Sequence, residues 1–330
     1  MATVKFTMRD ILNLLQKREV SLLLIISVLS LFLAGSTQNF LKPANFRVLL
    51  QGMSTDMMIA IPMGISLIAG NIDFSVGSNL CLTSAITGLA LNNGMGTYPA
   101  ILMGLIIGIL LGLINAVNIN HLKLPPLVAT LGTWMAYRGL ALVVLGGGTL
   151  SRFPDNYLIL GRTVVFGIPI TIIYMFAVIF LGVFALKYIN FFHNAYFIGT
   201  NKMSATLAGI DRTKFIYVSY ALTGFIAAFA GIIMAARLGS ATQNAGVGLE
   251  FRIVVGLLVG GISMDGGEGS LIGMVLGVLL MQLVGNAIVL LYLNPSYTQV
   301  INGFILVAAI AVDMLIKQGK STIRISRRTT

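Results

Sequence analysis

Residues 100–116 read AILMGLIIGILLGLINA, a run without a single charge. Crossing the roughly 30 Å hydrocarbon core of a bilayer takes about 20 mostly apolar residues at about 1.5 Å of rise each. A membrane β-barrel would instead show short strands that alternate apolar and polar residues. The run is too long and too evenly apolar for that, so it reads as a spanning helix. The rest of the chain agrees. Of its 330 residues, 57% are hydrophobic and 9% charged, against roughly 25% charged in a soluble domain. The expected fold is all-α, a polytopic membrane protein.

Apolar segments of this kind recur about ten times, at 20–36, 47–69, 79–92, 98–119, 127–145, 167–188, 215–237, 251–263, 271–292 and 298–316. The third and eighth are too short to span upright and are expected to be tilted, or broken beside a polar loop. The net charge of +11 falls between these segments, so it reads as a topology signal rather than a nucleic-acid surface. With the N-terminus inside, 14 of the 21 Lys and Arg fall on inner pieces and six on outer ones, while Arg138 lies within a helix. Cytoplasmic loops of membrane proteins are enriched in Lys and Arg, so both termini are expected to be cytoplasmic.

The domain organisation follows: a cytoplasmic segment at 1–19, one transmembrane domain at 20–316 with a cytoplasmic stretch at about 189–214, and a basic tail at 317–330 whose last ten residues are expected to be disordered. The run from Val20 to Ala34 lacks a convincing cleavage site and is read as a retained first helix. No GxxxxGK[ST] phosphate loop is present, so the chain is not expected to hydrolyse ATP. Cys81, the one cysteine, gives no disulfide or CxxC signal. His121 and His193 lie far apart in sequence, and no metal site is expected. Ten helices split five and five would form an inverted repeat of the kind many transporters use, although no clear sequence echo joins the halves.

Four polar interruptions carry the chemistry. Gly70-Asn71-Ile72-Asp73-Phe74-Ser75-Val76-Gly77-Ser78 places an acid, an amide and two hydroxyls between apolar helices. Irregular backbone at membrane depth must line a cavity or lie buried in protein. Asn71, Asp73, Ser75 and Ser78 are therefore candidates to contact a polar solute, or the stretch is a turn with Asp73 or Ser78 capping the next helix. Pro125-Pro126 opens a second segment, where Thr130 and Thr133 share one face. They line a pathway or bond back to their own helix. The third segment, Tyr196–Asp211, is short and amphipathic. Its small residues Ser204, Ala205, Ala208 and Gly209 admit a close partner backbone, or the segment lies on lipid headgroups. The fourth runs from Ala245 through Glu250 to Ser270, with Gly-rich breaks on both sides of a very short helix.

Together these segments resemble the permease subunits of ribose-type bacterial ABC importers for monosaccharides, a family that includes autoinducer-2 permeases. Gly70–Ser78 is similar to the family run GGIDLSVGS. Pro126–Thr133 followed by Arg138-Gly139 is similar to PxIVTLGT…RG. Tyr196–Ile210 and Gly246–Gly273 are similar to two further family stretches, and the likeness spans about 45–315. Asn71 in place of a glycine, the FRIVVG run at 251–256, and Asp56 among normally apolar positions depart from the pattern. The resemblance implies transport of a monosaccharide or similar small polyol across the bacterial inner membrane, with a multi-pass subunit that is no enzyme itself. It implies no cofactor of its own, since ATP is used by a partner ABC ATPase subunit. It also implies a periplasmic or lipid-anchored sugar-binding protein and a second permease, identical or homologous, all within membrane lipid; no nucleic acid is expected as a partner. Candidate pathway residues are Asn71, Asp73, Ser75, Ser78, Thr130, Thr133 and Glu250. Tyr196, Gly199, Asn201, Ser204, Ala205, Ala208 and Gly209 would belong to a helix that rests in a groove of the ATPase.

Two further expectations concern charge. Asp56 and Arg138 are expected at roughly 13 Å and roughly 10 Å from the same membrane face. Because intramembrane charges commonly pair, an Asp56–Arg138 ion pair or a shared vestibule is expected, unless Arg138 snorkels outward. The competing function is an ion-coupled secondary transporter, which needs an acid relay and has only Asp56 and Asp313 to offer. A membrane enzyme needs a nucleophile, base or metal constellation, which the sequence does not show.

Overall fold

The structure, a computed structural model, describes residues 18–326. Ten long or apolar helices occupy the ten segments expected from the sequence. They are α1 (Arg18–Ser36), α2 (Pro43–Ile68), α3 (Val76–Asn92), α4 (Thr97–Asn120), α5 (Pro126–Leu145), α7 (Ile170–Tyr188), α10 (Arg212–Leu238), α11 (Leu249–Val259), α12 (Leu271–Leu290) and α13 (Tyr297–Ser326). Three shorter helices lie in the connections: α6 (Asp155–Arg162), α8 (Asn190–Thr200) and α9 (Lys202–Leu207). Four very short strands, β1 (Thr149–Ser151), β2 (Val164–Val165), β3 (Ile168–Pro169) and β4 (Ser240–Thr242), form two antiparallel pairs, β1 with β4 and β2 with β3. Among the described residues, seven helices, α1, α2, α4, α5, α7, α10 and α12, are long and apolar enough to cross a membrane. The fold is an all-α polytopic membrane protein.

Two helix ends depart from expectation. Helix α2 starts at Pro43 rather than near 47, because proline suits the first helical turn, where its missing N–H has no partner to lose. Helix α13 continues to Ser326, so 321–326 are helical rather than disordered. Residues 1–17 and 327–330, with most of the N-terminal segment and the tip of the tail, lie outside the described residues.

The bundle has two ends. At one, Arg18 Nη1 donates to the Gly261 carbonyl at 3.1 Å, Asn120 Nδ2 to Thr213 O at 3.5 Å, and Gly199 abuts the carbonyl of Ile68. At the other, β1 pairs with β4, and Thr97 Oγ1 donates to Asn156 of α6 at 2.8 Å. They are called the Gly199 end and the Tyr157 end below.

The two short helices hold corresponding positions. Helix α3 packs on α4 and α5, and α11 packs on α12 and α13; α2 meets α12, and α10 meets α4. The same packing thus recurs in two sets of four helices, α2–α5 and α10–α13. Close approach in both sets rests on glycine. A Cβ on Gly112 would strike the Tyr220 carbonyl, and one on Gly277 would strike that of Gly256. Small residues let membrane helices pack backbone to backbone, where lipid gives no hydrophobic push between helices.

Helix α11 has 11 residues, roughly 16 Å of rise, about half of what a span needs. The chain covers the other half as irregular backbone. From β4 at the Tyr157 end, residues 243–248 turn into the bundle, and α11 then runs on to the Gly199 end. The first half of the chain repeats the device. Gly70 lies beside Asp265 at the Gly199 end, with 3.2 Å from its Cβ position to that carbonyl. Ile72 O already accepts the Tyr220 hydroxyl at 2.8 Å, eight residues into α10. The connection therefore climbs into the bundle before α3 begins.

Candidate translocation site between two broken helices

The two breaks meet. A Cβ on Gly77 would lie 2.6 Å from Gly246 O, and one on Gly246 would lie 2.7 Å from Gly77 O. No side chain fits between them. Gly246 also has φ +67°, which glycine adopts without strain. The first turns of α3 and α11 thus face one another within the bundle.

In the first break the acid is held by its neighbour. Asp73 Oδ1 accepts from the Ser75 amide at 2.8 Å and the Ser75 hydroxyl at 2.7 Å. Ser75 Oγ accepts from Asn115 Nδ2 at 2.8 Å, and Asn115 Oδ1 accepts from the Thr133 hydroxyl at 2.6 Å. This chain ties the break to α4 and α5, and all four residues are buried. Asn71 is buried as well and bonds the carbonyl of Ala69 at 3.4 Å. Thr130 turns back on its own helix, donating to Pro126 O at 2.8 Å. Ser78 is buried, and its hydroxyl has no partner among the described residues.

The second break is open. Glu250, in the first turn of α11, is fully buried. Its Oε1 accepts from the indole of Trp134 at 3.1 Å. Its Oε2 has no hydrogen-bond partner among the described residues and presses on Gly77, where a Cβ would displace it. The carboxylate lies at the positive ends of two helices, which offsets part of the cost of burying it. A cavity of about 280 Å³ opens beside it, lined by Trp134, Glu250, Phe251, Gln299, Asn302 and Leu306 among others. Asn302 Oδ1 is buried there without a partner among the described residues. Phe251 meets Trp134 edge-on at 6.3 Å and Phe74 at 5.2 Å, so a row of rings joins the cavity to the first break. Buried polar atoms almost always have partners. Two oxygens without partners among the described residues thus border a mostly apolar cavity.

Charge is arranged differently from the sequence expectation. Asp56 pairs with Arg252, not Arg138: Nε donates to Oδ2 at 2.6 Å and Nη2 to Oδ1 at 2.9 Å. The reason is depth. With α2 starting at Pro43, Asp56 lies 13 residues in, about 20 Å from the Tyr157 end. The re-entrant break brings the first turn of α11 to the same level. Arg138 instead donates through Nη1 to the carbonyls of Ala245 at 2.7 Å and Gln243 at 3.3 Å. It holds the irregular backbone that leads to Glu250.

At the Gly199 end, α8 and α9 are separated at Asn201, whose Oδ1 caps α9 by accepting from the amides of Met203 and Ser204, both at 3.0 Å. Gly199 lies against Ile68 and Gly267, and the Tyr196 hydroxyl donates to Gly269 O at 3.1 Å. Burial pushes the Tyr196 phenol up from its ordinary pKa. Ala205 points inward, Gly209 sits at a turn with φ +79°, and Ser204 and Ala208 are exposed. Sequence reading missed Met203 and Leu207, which stand out 70% and 82% exposed, one turn apart. It also missed Asn115, Trp134, Arg252 and Asn302. The available signals were an amide inside the 100–116 run, another amide at 302, and the chain's single tryptophan.

The chain belongs to the family described as "branched-chain amino acid transport system / permease component", which matches over residues 46–310. It is a multi-pass permease subunit of the ABC-importer class. Three relatives are similar over most of their length. A probable ABC transporter permease protein, YphD, of Escherichia coli K12 is 33% identical over 92% of this chain and 91% of its own. The ribose import permease protein RbsC of Bacillus subtilis 168 is 33% identical over 88% and 89%. The autoinducer 2 import system permease protein LsrC of Yersinia pseudotuberculosis IP 31758 is 31% identical over 90% and 84%. No solved structure matches the chain.

Proposed function

We propose that this permease carries a monosaccharide or similarly small polyol across the bacterial inner membrane, past Glu250, with energy from a separate ABC ATPase. The observation that carries the reading is the cavity at the second break, with its unpaired Glu250 and Asn302 oxygens beside Trp134. Carboxylate and amide oxygens accept hydroxyl protons, and an indole offers a flat apolar face with a polar handle. That combination suits a molecule with hydroxyls on its edge and C–H groups on its face. Two of the similar permeases are named for ribose and autoinducer 2.

The proposal includes a topology of ten crossings with both termini cytoplasmic, which puts the Gly199 end inside. On this reading α8–α9 receives the ATPase, with Met203 and Leu207 as the apolar knobs that enter its groove. A periplasmic or lipid-anchored binding protein delivers substrate at the Tyr157 end, and a second permease, identical or homologous, completes the membrane portion. An ion-coupled relay through Asp56 fits poorly, because Arg252 holds both carboxylate oxygens. The side chain of Asp313 lies outside the described residues. The test is uptake of labelled ribose-class sugars into proteoliposomes holding the permease, its ATPase and its binding protein. ATP inside should drive uptake. Uptake driven by a proton or sodium gradient without the ATPase would overturn the reading.

A further inference from the structure

A second cavity, of about 400 Å³, lies at the Gly199 end where α4 finishes and α5 and α10 begin. Among the described residues its lining includes three cations, Lys123, Lys202 and Arg212, and no acidic residue. Its floor is apolar, with Ile119, Leu124 and two prolines. Arg212 Nε is buried without a hydrogen-bond partner among the described residues. Lys123 is held at φ +57°, a conformation that residues with a side chain rarely adopt. Strain of this kind gathers at ligand clamps and needs surrounding structure to hold it. The neighbouring Leu122 is 63% exposed, at the level where three membrane helices end.

From this arrangement we propose that the cavity binds the phosphate of an anionic phospholipid in the adjacent leaflet. Three cations with no acidic residue in the described lining call for an anion. The unpaired Arg212 donor calls for an acceptor oxygen, which phosphate supplies. The apolar floor and the exposed leucine suit the glycerol and the first methylenes of an acyl chain. Basic pockets between membrane helices take lipid headgroups for these reasons. A soluble phosphate shares the charge chemistry but makes no use of the apolar surface. The lipid pins the 121–125 connection to the start of α10, the helix that follows α8–α9.

The experiment uses the purified permease in mild detergent with mixed phosphatidylcholine and phosphatidylglycerol, and counts retained lipids by native mass spectrometry. The wild type is expected to prefer phosphatidylglycerol. Removing Lys123 (Lys123→Gln) and then Arg212 (Arg212→Gln) should weaken that preference roughly fivefold for each cation lost. Arg212→Lys guards against misfolding: it keeps the charge, and its unfolding temperature and lipid preference should stay near wild type. Arg152→Gln, at the opposite end, should change nothing. Equal retention by the wild type and the double variant would overturn the proposal. So would complete displacement of the lipid by millimolar inorganic phosphate, which assigns the cavity to a soluble anion. Loss of the lipid when the ATPase docks would assign it to a protein contact instead.

Discussion

The two breaks, 70–78 and 243–250, are alike in backbone and differ in how their acids are held. Each leads into a short helix, and they touch at Gly77 and Gly246. In the first, the Asp73 oxygen that faces Ser75 is bonded twice, and Ser75, Asn115 and Thr133 continue the chain. In the second, Glu250 keeps one oxygen unpaired and borders a cavity. A satisfied buried network fixes a geometry, whereas an unsatisfied one stores an affinity for whatever completes it. We infer that the first break is the anchor and the second the place of passage. The Asp56–Arg252 pair belongs to the second, since it holds the first turn of α11 and so aims Glu250.

The variants that strain this division most act at the contact itself. Gly77→Val should leave little folded protein, because its Cβ would collide with Glu250 and with the Gly246 carbonyl. Size-exclusion yield in detergent checks this, and a normal yield would mean the breaks do not touch.

Next in size comes the ion pair. Asp56→Leu and Arg252→Leu should each destabilise the solubilised permease by about 3–5 kcal/mol, with the double variant regaining much of the loss. Thermal or denaturant unfolding of the four proteins measures it. Asp56→Leu combined with Arg138→Leu should be additive, and coupling between those two would restore the pairing expected from sequence.

A smaller effect is expected at the anchor. Asn115→Leu removes a donor to Ser75 and an acceptor from Thr133, and should cost about 1–3 kcal/mol in unfolding while uptake persists. Smallest in stability is the change at α9. Met203→Asp with Leu207→Asp touches only exposed residues and should stay within about 0.5 kcal/mol of wild type. On the proposed docking, it should nevertheless separate ATP hydrolysis from uptake.

Much of the fold was legible because spanning helices leave a simple signal: a long apolar run must be a helix in lipid. All ten segments fell on helices, and the two that looked too short, 79–92 and 251–263, proved to be the helices beside the breaks. The partner of Asp56 was not legible. Depth was counted from the helix end, and a start at Pro43 rather than 47 moved Asp56 by about a turn. The re-entry of 243–248 also brought Arg252 inward from a position that reads as a loop. Of the candidate site, Glu250 could be picked from its Gly-rich setting. Trp134 and Asn302 could not, because they come from helices distant in sequence and meet only once α11 packs between them.

The central claim is that substrate passes Glu250 and not Asp73, and one side-by-side uptake assay tests it. Glu250→Gln and Asp73→Asn are each reconstituted with the ATPase and binding protein, and ATP-driven sugar uptake is measured beside unfolding temperature. The expected result for Glu250→Gln is a loss of uptake of roughly tenfold or more with near-normal stability, since a charge-assisted hydrogen bond to the passing hydroxyl is weakened. Asp73→Asn should show the reverse, a lower unfolding temperature with uptake within roughly twofold of wild type once corrected for folded protein. Normal uptake by Glu250→Gln, together with a stable but inactive Asp73→Asn, would contradict the account and move the pathway to the first break.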